Sequence, residues 1–155
     1  MNTLKAVYFF FVSIVICQYL VASPGTGLNS TIGGGVNNSA TAQNSTISGG
    51  ETNIASGLNS VIGGGASNTV YGDWSSIVGG GDNLLKGGSS FIGGGGGNQI
   101  ASTFSSIVGG NNNKISSKSD SSFIGGGIYN LVSSNFSTIV GGQQSTSSAD
   151  HTTIS

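Results

Sequence analysis

The chain has 155 residues, of which 29 are Gly and 28 are Ser, with 4 Lys, no Arg and 5 acidic side chains. Charged residues make up 6% of it, against roughly 25% in ordinary soluble domains, and the single Pro fits collagen poorly. No basic stripe exists to neutralise a phosphate backbone, which argues against nucleic acid as a partner, and 35% hydrophobic content argues against charge-driven disorder.

In chain order, the first element is an apolar run from Ala6 to Leu20 that follows Lys5 and ends in the small residues Ala22 and Ser23. The run is shorter than the roughly 20 residues of a membrane span, and Ser, Pro and Gly follow it directly, so it reads as a signal peptide over 1–22, cleaved after Ala22. The lone cysteine, Cys17, falls inside this leader, and the mature chain 23–155 is therefore expected to lack thiol chemistry, disulfides, Cys-based metal sites and a membrane span.

From Ser30 the sequence repeats every 15 residues, with one two-residue insertion near Ser119 to Ser121. Counting the opening Ser as zero, position two is Ile in all nine repeats, from Ile32 through Ile77 to Ile154. Positions four and five are a Gly pair, position eight is Asn (Asn38 to Asn130), and position ten is apolar (Ala40 to Val132). Fifteen residues are too few for a two-helix repeat, and a Gly pair costs about 2 kcal/mol inside a helix. The unit is thus expected to be β: one coil of two short strands, Ile on one facing the position-ten column of the other, with the Gly pair at the corner. Such coils stack into a parallel β-solenoid of about eight to nine turns, with an incomplete ninth repeat and Asn stacked on Asn.

Motifs for catalysis are missing. No Gly-rich stretch matches a phosphate-binding P-loop, Asp82 stands alone in its column, His151 has no recurring acid or Cys partner, and no G-x-S-x-G elbow occurs. The expectation is a protein without enzymatic activity, metal or cofactor. Strand alternation also predicts an outward band of Trp74, Val78, Phe91, Phe104, Val108, Phe123, Phe136 and Val140, and contiguous apolar surface of that kind marks an interface. Four sequons, at Asn29, Asn37, Asn44 and Asn135, are candidates for N-glycosylation, and no Asn of the position-eight column heads one.

The repeat from Ser60 to Trp74 resembles the Gly-rich variant of the head repeat of YadA-like trimeric autotransporter adhesins, S-T-V-G-G-G-x-x-N-x-A-S-G-x-Y. Leu28-Asn29-Ser30-Thr31-Ile32-Gly33 and Leu58-Asn59-Ser60-Val61-Ile62-Gly63 are similar to that family's N-S-V-A-I-G coil motif. The resemblance implies a left-handed parallel β-roll, a trimer, cell-surface or extracellular location, and attachment to a host-surface, matrix or carbohydrate ligand. The family's stalk and membrane barrel have no counterpart in the sequence. Two other readings are an ice-binding solenoid, against which the outward Phe91 and Phe123 count, and an extracellular filament whose coils stack head to tail at their open edges.

Overall fold

A computed structural model describes residues 25–155; the predicted leader lies outside them. Among the described residues no helix forms, and the chain is a parallel β-solenoid of about eight turns. Nine two-residue strands, from Thr31–Ile32 to Thr153–Ile154, make one parallel sheet, and eight, from Ser39–Ala40 to Thr146–Ser147, make the other. Every strand pairs in register with its equivalent one coil away, so that Ile32 lies opposite Ile47 and Ala40 opposite Ala55.

The coil has one more side than the sequence suggested. Single-residue parallel bridges link position six of successive coils, Val36 to Glu51 to Ala66 and on to Gln143, as a third line of pairing. The strands are short because each coil bends three times. The second Gly of each pair has φ near 90°, and two non-Gly columns are also left-handed: position seven, as in Asn37 and Asp82, and the residue before the opening Ser, as in Asn29 and Trp74. Positive φ was expected only at the Gly pair. The extra turn positions carry Asn, Asp, Ser and Thr often enough to suit that backbone, but these residue types are also ordinary loop residues, so composition alone did not reveal the constraint.

Parity inside the coil follows the expectation. The Ile column from Ile47 to Ile139 and the facing Ala55, Val70, Leu85, Ile100, Ile115 and Val132 are fully buried, each larger side chain contributing about 1.5 to 3 kcal/mol by leaving water. The polar columns are buried beside them and form ladders. Asn83 Nδ2 donates to Asn68 Oδ1 (2.9 Å), to Gly79 O of its own corner (3.2 Å) and to Gly95 O of the next coil (3.0 Å). Asn83 Oδ1 accepts the N–H of Asn98 (3.0 Å). The opening serines form a second ladder: Ser75 Oγ donates to Gly87 O (2.9 Å) and accepts from Ser90 N (3.1 Å).

The insertion sits earlier than the sequence alignment placed it. Ser119 is buried in line with Ser102, and Thr103 N donates to Asp120 Oδ1, so those residues keep the coil register. Ser116 N still donates to Val132 O, as Ala101 N does to Ile115 O. The extra residues are therefore Ser117 and Lys118, which form an exposed turn. A serine-rich stretch aligns equally well in several frames, and the burial of Ser119 together with these hydrogen bonds selects one.

The two glycines of a pair are unequal. A Cβ on Gly80 (φ 88°) would overlap the carbonyl oxygen of Gly95, whereas a Cβ on Gly79 would meet nothing. Gly80→Ala is expected to destabilise the fold by about 2 kcal/mol or more, from strain and steric overlap together, and Gly79→Ala by less than about 0.5 kcal/mol, read as denaturation midpoints of the two variants. Asn83→Ala removes the amide that joins three coils and strands the N–H of Asn98, for an expected loss of about 2 to 4 kcal/mol in the same measurement.

Candidate functional site

The sheet that buries the Ile column presents its other side outward, and all eight predicted band residues are exposed there or at its margins. They fall into three columns. Trp74, Phe104 and Phe136 occupy the left-handed corner that opens the sheet, Phe91 and Phe123 lie on the strands, and Val78, Val108 and Val140 follow the strands. Strand alternation accounts for the second column. The corner rings point outward for a different reason: φ values of 58°, 54° and 53° turn the chain at those residues.

That corner carries Asn29, Asn44 and Asn59 in the first coils, a residue type that tolerates left-handed backbone, whereas a bulky side chain there costs about 1 to 2 kcal/mol. The rings gain little burial in return, since Trp74 is 65% and Phe104 is 68% exposed. Strained, solvent-facing aromatics are the pattern of a surface kept for contact. His151 continues the column and stacks on Phe136 with ring centroids 5.0 Å apart.

Bulk alternates from coil to coil. Coils opening at Ser75, Ser105 and Ser137 have large residues at the corner and after the strand, with Ser76, Ser106 or Thr138 between them. Coils opening at Ser90 and Ser122 have the ring in the middle and Ser and Gly beside it. The glycines explain the alternation. A Cβ on Gly93 would overlap Val108 O and stand 3.3 Å from Phe91 Cε1, and Gly125 has the same relation to Val140 O and Phe123. The middle ring therefore lies over its own glycine, which leaves Phe91 38% and Phe123 37% exposed. Val61, 40% exposed on its strand, is the bulky residue of the middle column two coils earlier, and a Cβ on the Gly63 that follows it would overlap Val78 O.

The sequons are separated by the fold. Asn29, Asn37 and Asn44 are exposed, and Asn29 and Asn44 begin an outer ladder in which Asn44 Nδ2 donates to Asn59 Oδ1 (2.8 Å). Asn135 is half-buried, its Oδ1 accepts the N–H of Asp120 (2.9 Å), and it adjoins Phe136 on the apolar face. On the other sheet Leu84, Lys86, Gln99, Ala101 and Lys114 border a shallow depression of about 140 Å³. Among the described residues no group of three or more His, Cys, Asp or Glu could hold a metal ion, and no helix is long and apolar enough to cross a membrane.

The described chain is, as a class, a parallel β-solenoid with inward Asn and Ser ladders and one apolar outer face. In comparison with known proteins, no family model and no curated protein matches the chain. Passed through the secretory route of a host that N-glycosylates, the chain is expected to carry glycans at Asn29, Asn37 and Asn44 and none at Asn135. Peptide mapping with and without glycosidase treatment checks this, and a glycan found on Asn135 contradicts it.

Proposed function

We propose that the protein is a non-enzymatic extracellular or cell-surface attachment module, secreted through its leader and working through the aromatic and valine face. The observation that supports this most is the placement of Trp74, Phe104 and Phe136 at left-handed corners where they are strained and exposed. Rings held there contribute little to the fold and offer a rigid apolar surface to a partner. The laddered interior supplies stiffness, so contacts along the face engage together and their energies combine. The resemblance of the repeats to adhesin heads agrees with this use. An ice-ordering role is less well supported, because the outward column Thr31, Thr46, Val61, Ser76, Phe91, Ser106, Phe123, Thr138 is interrupted by Val61 and by two aromatic rings in place of short hydroxylated residues.

Beads coated with the full chain recovered from the medium are expected to resist detachment by flow on at least one of four surfaces: fibronectin, chitin, cultured epithelial cells, or a layer of the same chain. The Trp74→Ser, Phe104→Ser, Phe136→Ser triple variant uses the residue that already stands at Ser89 and Ser121, and it should cut attachment at least tenfold. Detachment at the rate of albumin-coated beads on all four surfaces rejects the reading.

A further inference from the structure

Resting on that reading of the face, we infer that its partner is a second copy of this chain, docked face to face and end over end about a two-fold axis that lies in the interface, parallel to the strands and perpendicular to the stacking direction. The inference comes from the alternation of bulk. Coils with a middle ring and coils with bulk at the margins succeed one another at a spacing of about 4.8 Å. A two-fold axis that crosses the face between two adjacent coils sets every middle-ring coil opposite a marginal-bulk coil of the other copy. The ring of Phe91, laid over Gly93, then faces Ser106 and Val108 of the second copy, beside its Phe104, and the reverse contact forms by symmetry. A parallel copy in the same register instead sets Phe91 against Phe91. The contact is isologous, uses one patch on each chain and closes at two subunits.

Area and charge agree with this occupant. The exposed fractions of the five rings, at roughly 150 to 250 Å² for a whole aromatic side chain, leave about 500 Å² uncovered. The three valines, each more than half exposed, bring the patch toward the ~800 Å² per partner of a stable interface. None of the three columns contains Lys, Asp or Glu, so no charge would be buried unpaired. Asp73, Asp120 and Asp150 lie outside the corner column, and their Oδ1 atoms accept backbone N–H groups of the neighbouring coil at 2.8 to 2.9 Å.

The test is sedimentation of the full secreted chain over a range of micromolar concentrations, followed by distance measurement between spin labels on Glu51→Cys or Ser117→Cys, both exposed sites off the face. The expected result is a dimer in which the label-to-label distance is much longer for Glu51 than for Ser117, because end-over-end pairing moves coils far from the axis apart. A monomer, a trimer, or equal distances at the two sites overturns the inference. The variant Phe91→Thr, Phe123→Thr places in the middle column a residue it already holds at Thr46 and Thr138, and should weaken pairing at least ~30-fold without changing the fold. The triple serine variant should do the same, and a dimer that survives both sets overturns the inference as well. A chain that stays monomeric while its beads hold to fibronectin, chitin or cells removes self-pairing and leaves the attachment reading standing. A chain that neither pairs nor attaches removes both.

Discussion

The side-chain amide of the position-eight Asn is the constraint on which the rest of the solenoid depends. Strands of two residues make too few hydrogen bonds to hold a sheet by themselves, and the coil bends after each of them. Asn closes that gap because its amide has two donor hydrogens and an acceptor oxygen within a short reach of the backbone. At Asn68, as at Asn83, Nδ2 bonds the coil's own Gly corner and the corner of the next coil, while Oδ1 takes the N–H of the following Asn. Each amide thereby fixes the bend within a coil and the spacing between coils together. Gln would overshoot, and Ser lacks the second donor.

That ladder dictates where glycine is required. The Nδ2 atoms stand beside the second Gly of the pair, and each of those glycines also lies against the carbonyl of the next one along the stack. The resulting column from Gly35 to Gly127 has no room for a Cβ and adopts a backbone that other residues resist. A third set of glycines, Gly33, Gly63, Gly93 and Gly125, recurs at every second coil, because the backbone there tucks against the carbonyl of the coil that follows. The sequence period is one coil, and the surface period is two.

With its interior committed to Ile, Asn, Ser and the aliphatic position-ten column, the chain changes chemical type mainly outward. The later coils use that freedom to exchange the Asn of the opening corner for Trp, Phe and His, and to lay Phe91 and Phe123 over glycines. These choices work against backbone preference at the corner and against solvation on the strand. A face built in this way on a stiff support suits contact along its whole length, including contact with a copy of itself offset by one coil.

By itself the sequence determined the strictly repeating features. Nine Ile at one position, the Gly pairs and the Asn column specified a parallel β-solenoid, its inward faces and the existence of an amide ladder, because every coil must meet its neighbour at the same spacing and each column therefore repeats one chemical answer. The outward direction of the band was also legible, from strand parity for Phe91 and Phe123. Tertiary structure decided the rest. It set the third line of pairing at position six and the left-handed corners at Trp74, Phe104 and Phe136, since a residue's φ depends on how neighbouring coils hold the turn. It chose Ser117 and Lys118 as the inserted pair, because the burial of Ser119 in line with Ser102 and the bond from Thr103 N to Asp120 Oδ1 select among otherwise equivalent alignments. It also gave the reason that Gly93 and Gly125 alternate with Val108 and Val140: a carbonyl of the next coil lies where their Cβ would be, and that contact spans residues 15 positions apart.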